Sequence, residues 1–424
     1  MVKPGYKQTP MGLIPEEWEV VAWEEAGSCF SSGATPYRAI PRYYEGDIKW
    51  VSSGELNYNI ITETLEHISE EAQKETNLTL HPVNTFLMAI TGLEAAGTRG
   101  SCAILGVPAT TNQSCMAIYG TERLDVRYLF YYYSSNGDDL AFKYCQGTKQ
   151  QSYTASIVKK LPIILPPIDE QKKIANALSE ADQLIESLAK QLTKKKAIRQ
   201  GAMQELLTGK KRLSGFSGEW KTFIFGELFD FIPNNAFTRA QMSDGGKVKN
   251  IHYGDILTKY GAYVDGNSNA IPYISREVDL SRFADRCYLQ SGDIIVADTA
   301  EDETVGKALE VTNVDSPILA GQHTLLCRPK IRFADKFLGY YLNATCYHDQ
   351  LLPYIVGTKV SSVSKASVAQ TKLVVPEYEE QQAIAAILSN MDAEIEALEQ
   401  KLAKYHQVKQ GMMQQLLTGK IRLV

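Results

Sequence analysis

The chain has 424 residues, 44% hydrophobic, 22% charged and 9% aromatic, with a formal net charge of −5. At about 100 to 200 residues per domain, this length allows two to four domains with full cores, which excludes a small stapled scaffold. The composition is too apolar for a disordered chain, and the acidic balance excludes a uniformly basic nucleic-acid coat while leaving local basic faces open.

The opening, MVKPGYKQTPMGLIPEEWEV, lacks the unbroken apolar run of a signal peptide. No stretch approaches the about 18 consecutive apolar residues of a membrane span. The seven cysteines include no CxxC pair and leave one over by count, which fits a reducing compartment better than secretion. A soluble cytoplasmic protein without a membrane partner is expected.

Residues 1–166 read as short strand-like runs broken by glycine turns. WVSSGEL places Ser52 and Ser53 on one such turn, and ITGLEAAGTRGSCAI carries Thr91, Gly92, Arg99 and Gly100 between strand-like runs. Asn112 and Gln113 follow. Tyr131, Tyr132 and Tyr133 are expected to pack an amphipathic helix rather than stack on bases. Lys143, Gly147, Thr148 and Lys149 form a small polar loop.

Leu165-Pro166-Pro167 then blocks helix, because proline lacks the N–H donor and biases its predecessor to extended geometry. Asp169 and Glu170 favour the positive end of a helix starting there, and Gly209 stands where a left-handed cap is wanted, followed by cations that suit the negative end. Between them Ile174, Leu178, Ala181, Ile185, Leu188 and Leu192 are spaced alternately four and three, the seam of a coiled coil, which continues through polar Lys195 and Arg199 to Ala202 and Leu206. About 38 helical residues make a rod of about 57 Å, too long for ordinary core.

Residues 214–375 form a second variable part. It offers Tyr253, Gly254 and Asp255, then Gly306 and Lys307, Gln322 and His323, and Gly357, Thr358 and Lys359; Tyr340 and Tyr341 again suit helix packing. After Val375-Pro376 a second helical segment follows, with Glu379 and Glu380 at its start, Gly419 at its end, and a seam of Ile384, Leu388, Met391, Ile395, Leu398, Leu402, Tyr405, Met412 and Leu416.

The two helical segments are copies. Asp169–Leu213 and Glu379–Leu423 align without a gap about 210 residues apart, with about half of the positions identical. Weaker echoes run upstream: GTKQQSYTASIVKKLPIILP answers GTKVSSVSKASVAQTKLVVP, RYLFYYY answers KFLGYYL, Asn112-Gln113 faces Gly321-Gln322, and the segments around Trp18 and Trp220 correspond. Between these anchors the halves diverge. The expected organisation is a globular part at 1–166, a helical segment at 167–213, a second globular part at 214–375 and a second helical segment at 376–424. The fold class is α+β: two mixed α/β domains and two long helices pairing as an antiparallel coiled coil, a pseudo-two-fold tandem repeat. A single narrow stripe cannot bury itself and the chain supplies one similar partner, so pairing within the chain is preferred over packing of each helix on its own domain or dimerisation between chains.

Two non-identical readers on a rigid rod suit two short elements on one long ligand, and half-sites on duplex DNA about one helical turn apart demand such a ruler. The layout, with LPPIDEQKKIA, VPEYEEQQAIA, both LLTGK-x-RL endings and the upstream GTK blocks, resembles along the whole chain the specificity subunit of type I restriction-modification systems. The resemblance implies that the globular parts are target recognition domains, each reading one half of a bipartite site on double-stranded DNA. It implies that the helices set the spacer and bind two modification subunits. Those subunits would carry S-adenosylmethionine-dependent adenine methylation, and separate restriction subunits an ATP- and Mg-dependent translocase and nuclease. No cofactor and no metal are expected in this chain. The alternatives are a coiled-coil assembly protein with protein-binding ends, or the specificity chain of another bipartite-site system.

The residues give no catalytic assignment. Both TGK sites continue with Lys211 or Ile421, so the magnesium-binding hydroxyl of a phosphate loop is missing, and there is no GxSxG elbow, HExxH motif or [DNS]-P-P-[FYW] loop. The six histidines show no metal-ligand spacing. Asp298, Glu301, Asp302 and Glu303 with Lys307 read as a solvated acidic loop, since the (D/E)-x-K nuclease triplet is absent. Charge is uneven: the first helical segment carries about four excess cations and the other three parts are acidic. Phosphate contacts are therefore local, and the candidate DNA-binding residues are Ser52, Ser53, Thr91, Arg99, Asn112, Gln113, Lys143, Thr148 and Lys149 in the first domain, and Tyr253, Lys307, Gln322, His323, Thr358 and Lys359 in the second. Residues common to both domains are expected to hold the fold or grip phosphate, whereas base readers should differ.

Overall fold

Apolar runs of four or five residues in the first globular part assemble a five-stranded sheet in a computed structural model that describes residues 4–94, 99–146, 151–302, 304–357 and 359–424. Its strands are Ser28–Ser32 (β1), Asn59–Ile61 (β2), Phe86–Ala89 (β3), Cys102–Leu105 (β4) and Cys115–Tyr119 (β5), in the order β1-β5-β3-β4-β2. Neighbours are antiparallel except the parallel pair β4 and β2. The central strands β3 and β4 are buried along their whole length, as an uninterrupted apolar run requires. Helix Val126–Tyr144 (α1) packs on them, with Asp125 capping its first turn. Trp23, Phe86 and Tyr133 meet edge to face with centroids 5.6 to 6.2 Å apart.

The second globular part repeats this plan with other residues. Strands Phe229–Ile232 (β6), Tyr263–Asp265 (β7), Ile294–Ala297 (β8), Ala308–Thr312 (β9) and Thr324–Pro329 (β10) lie in the order β6-β10-β8-β9-β7, again with one parallel pair, β9 and β7. Its sheet-packing helix, Phe337–Leu342 (α4), is much shorter than α1. The first turn of α4 is served by Glu310, which accepts hydrogen bonds from the Lys336 and Gly339 N–H groups (2.5 and 2.9 Å). Burial pushes the Glu310 carboxyl up to about 7.

The two repeated segments are unbroken helices of 39 residues each, Ile168–Leu206 (α2) and Tyr378–Leu416 (α5), each starting just past its proline block. Each ends as its glycine dictates: Gly209 and Gly419 both take φ +70°, and the N–H of Lys211 and of Ile421 closes back on the Glu205 and Gln415 carbonyls. A side chain at Gly419 would also collide with Pro15, 2.5 Å away.

Contacts divide the chain into one unit of residues 1–189 with 401–424 and a second of residues 190–400, so each contains part of both helices. In the first unit Asp182 pairs with Lys409 (2.5 Å) and Glu170 with Arg422 (2.7 Å), so the segments run antiparallel. In the second unit Lys195 pairs with Glu394 (2.5 Å), Arg199 with Asp392 (2.8 Å) and Arg212 with Glu380 (2.7 Å), again antiparallel. The polar Lys195 and Arg199 of the first seam are thereby explained: each meets an acid across the helix pair. Seam residues Ile174, Leu178, Leu188, Leu206, Ile384, Leu388 and Leu416 are buried, and Ile185, Leu192, Met391, Ile395, Leu398, Leu402 and Met412 are half-buried.

The same three polar latches fasten the helices to the globular part in both units. Glu170, buried, accepts from Trp18 Nε1 (2.9 Å) and, bidentate, from Nε and Nη2 of Arg422 (2.7 and 2.8 Å). Glu380 accepts likewise from Trp220 (3.3 Å) and Arg212 (2.8 and 2.7 Å). Burial alone would raise the Glu170 carboxyl, but its bonds from Arg422 and Trp18 outweigh it and hold the group below its ordinary value. Tyr131 and Tyr340 donate to Asp182 and Asp392 (2.8 and 2.6 Å), which confirms them as packing residues. Gln171 and Gln381 accept from the N–H of Asp125 and Ala334 and donate to the carbonyls of Pro166 and Pro376.

Two outcomes follow. Arg422→Ala leaves Glu170 buried without its counter-charge and lowers unfolding stability by about 3 kcal/mol, measurable by urea denaturation, whereas Lys196→Ala, which loses only an exposed pair with Glu399, changes it by less than about 1 kcal/mol. Because folded Glu310 keeps its proton to about pH 7, whereas an unfolded carboxyl releases it near its ordinary value of 4.5, the folded state binds more protons between those limits. Stability from this group therefore falls as pH rises through that window, and Glu310→Gln flattens that limb of a melting-temperature profile.

Candidate nucleic-acid interface

In each unit several of the described loop segments singled out in the sequence meet at one end of the five-stranded sheet, and backbone hydrogen bonds fix how. In the first unit the N–H of Asn112 donates to the Val51 carbonyl (2.9 Å), that of Ile90 to Ser114 (2.9 Å) and that of Tyr153 to Ile90 (2.8 Å). Bridges join Thr91 to Ser152 and Gln146 to Ser152. Four chain segments are thus tied side by side.

The second unit has the same wiring. Gly321 N–H donates to the Ile251 carbonyl (2.8 Å), Asp298 to His323 (3.2 Å) and Val363 to Asp298 (2.9 Å). Thr299 pairs with Ser362, and Val356 bridges to Ser362. These links align residues 51–55, 90–91, 112–114 and 152–153 with 251–255, 298–299, 321–323 and 362–363, although Ser53–Glu55 form a short 3-10 turn where Tyr253–Thr258 form an α-helix.

Within this frame the first-unit candidates are only partly free. Ser52 caps a short turn: its N–H and its hydroxyl both donate to Glu55 (2.8 Å each). Ser53 and Thr91 are half-buried on the turn and the bridge. Asn112 accepts from the Ser114 N–H, while the exposed Gln113 accepts from the Thr35 hydroxyl (2.5 Å). Arg99 binds Asp138 (2.8 Å) and lies over the Phe142 ring, so its charge holds the loop to α1. Lys143 is exposed beside Tyr144. Thr148 and Lys149, with Gly147, lie outside the described residues, as does Thr358 in the second unit.

In the second unit helix Tyr253–Thr258 (α3) starts at the loop end, its first turn capped by His252 Nδ1, which accepts from Gly254 N–H (3.3 Å). Tyr253 lies between two imidazoles, with centroids 4.6 Å from His252 and 5.2 Å from His323. His323 is exposed, and its Nε2 faces the Gln322 amide nitrogen at 3.2 Å. Lys359 is exposed. Lys307 is half-buried, and its ammonium donates to the Leu257 and Tyr260 carbonyls (3.2 and 2.9 Å), where it closes the end of α3. Burial lowers its pKa.

Sequence reasoning missed Arg239, whose guanidinium meets buried Asp255 at 3.0 Å while remaining half exposed at the same loop end. It also missed the part played by His252 and Thr299. A lone arginine in a divergent loop gives no signal of its own; His252 could have been found by aligning WVSSGEL with NIHYGDI. Among the described residues no group of three or more His, Cys, Asp or Glu could hold a metal ion, and no helix is long and apolar enough to cross a membrane.

The arrangement is two equally wired, differently furnished loop clusters, each on its own sheet. Comparison with known proteins agrees with that duplication. The chain is similar to the MjaVIII type I restriction enzyme specificity subunit of Methanocaldococcus jannaschii, 24% identical over 97% of this chain and 94% of the relative. It is 32% identical to the MjaIX specificity subunit of the same organism over 44% of this chain and 43% of the relative, and 26% identical to the EcoR124I/EcoR124II specificity subunit of Escherichia coli over 43% and 45%. Its fold resembles the crystal structure of a type I restriction-modification S subunit from M. genitalium, with a TM-score of 0.57, 15% identity and 98% of each chain covered. The family model described as the type I restriction modification DNA specificity domain matches twice, over residues 15–195 and 217–405, and the chain belongs to that family.

Proposed function

We propose that this chain is the non-catalytic DNA-specificity subunit of a cytoplasmic type I restriction-modification complex, with target recognition domains at 1–166 and 214–375 that each read one half of a bipartite site. The helical segments at 167–213 and 376–424 set the distance between half-sites and dock two modification subunits. S-adenosylmethionine-dependent adenine methylation, and ATP- and Mg-dependent cleavage by restriction subunits, belong to those partners. The observation that carries this reading is the duplicated loop frame: the backbone bonds 112-to-51, 90-to-114 and 153-to-90 recur as 321-to-251, 298-to-323 and 363-to-298, holding different side chains. Shared wiring with divergent side chains suits two readers of different sequences on one double-stranded ligand.

Phosphate affinity must come largely from elsewhere, since the net charge is −5 and several of the cations are engaged in latches. The isolated chain is expected to bind duplex DNA weakly, with affinity falling steeply as salt rises, and addition of the modification subunits to strengthen it at least about tenfold; a salt titration of both forms measures this. Sequencing methylated adenines in source cells with and without this gene tests the function itself. Loss of one bipartite motif is expected, and an unchanged methylation pattern contradicts the proposal.

A further inference from the structure

The shared backbone links of the two loop clusters permit a comparison that the divergent sequences do not. At three matched positions the first unit carries Ser52, Ser53 and Ser114, and the second carries His252, Tyr253 and His323. Three hydroxyls stand where three rings stand. The rings contact one another in sequence, and the outermost, His323, adopts a left-handed φ of +55°, which costs a non-glycine residue energy and persists only where its surroundings enforce it.

Those surroundings are polar. His323 Nδ1 faces the Thr299 hydroxyl (3.4 Å) and Asp298 (3.7 Å), and Thr299 donates to Asp298 (2.8 Å). On the other side Nε2 faces Gln322. The glutamine is common to both units, but its tether differs: Thr35 occupies the Gln113 oxygen, whereas His323 engages the Gln322 nitrogen. Gln322 is thus left with its whole amide oxygen and one N–H, a donor-acceptor pair able to meet a base edge, while Gln113 keeps both N–H groups but only one of its two acceptor positions.

We infer that Tyr253, Gln322 and His323 determine the base requirement of the second domain's half-site, with His252 as the positioning residue behind Tyr253, and that Ser53, Gln113 and Ser114 are the corresponding set of the first domain. This inference rests on the proposed DNA-specificity function and assigns that function to particular side chains. A ring ledge flanking an amide discriminates by shape and by hydrogen-bond pattern, whereas serine hydroxyls donate or accept and pair with several bases. None of the three second-domain residues belongs to the latches that hold the helices.

The test replaces the chromosomal gene in source cells with wild-type or variant full-length chains and sequences methylated adenines. Tyr253→Ser introduces the residue that the matched first-unit turn already carries, and His323→Asn keeps a residue tolerant of positive φ. The wild-type chain restores one bipartite motif; its failure to do so overturns the DNA-specificity function itself. With Y253S, and with Y253S/H323N, one half of the motif stays as it is, while discrimination at one or two positions of the other half falls about tenfold or more. An unchanged motif overturns the inference, and so does loss of methylation at both halves by a variant that accumulates and melts like wild type. If the double variant fails to accumulate, Y253S alone decides between these outcomes.

Discussion

Burial of one carboxylate in each unit is the constraint on which the rest depends. Glu170 and Glu380 stand at the starts of their helices with almost no access to water, and an ion so placed is tolerable only when fully paired. The pairing is reciprocal between the two repeats. Glu170 of the first copy takes its arginine from the end of the second, Arg422, and Glu380 of the second takes Arg212 from the end of the first. A tryptophan of each globular part, Trp18 or Trp220, completes the latch. Neither copy can satisfy its own acid.

That reciprocity explains why the segments of about 45 residues keep about half of their positions identical while the parts between them diverge. The start and the end of each segment must match the opposite ends of the other, and the Tyr–Asp and Gln latches add the same demand at Tyr131, Asp182 and Gln171 and at Tyr340, Asp392 and Gln381. Seam leucines could be exchanged for other apolar residues at modest cost, but the buried polar partners could not. The loop frame obeys a weaker version of the rule: its backbone bonds recur in both units, and its side chains are left free to vary.

Much of this was legible in the chain because it is periodic or repeated. The seam from Ile174 to Leu206, the proline blocks and the glycine caps at Gly209 and Gly419 state their conformations locally. The tyrosine runs declare themselves as helix packing. The sheets were not legible in detail, because β2 and β7 are short edge strands paired in parallel with residues more than 40 positions away, and no local signal marks such a pairing. Site residues were mixed for the same reason. Lys307 and Arg99 offered charge, yet only the fold reveals that the ends of α3 and α1 consume it. The ring ledge at His252, Tyr253 and His323 joins segments about 70 residues apart and becomes visible only when the loops are laid on their common frame.

The proposed function requires that change between the half-sites be tolerated and displacement of them not. The most direct measurement is the affinity of the complete complex, isolated from source cells, for duplexes carrying the methylated motif with the spacer either altered in sequence or lengthened by one base pair. One added pair shifts a half-site by about 3.4 Å and rotates it by about a tenth of a helical turn, so affinity should fall at least about tenfold on lengthening and hold when only the spacer sequence changes. Equal affinity for the lengthened duplex would contradict the account.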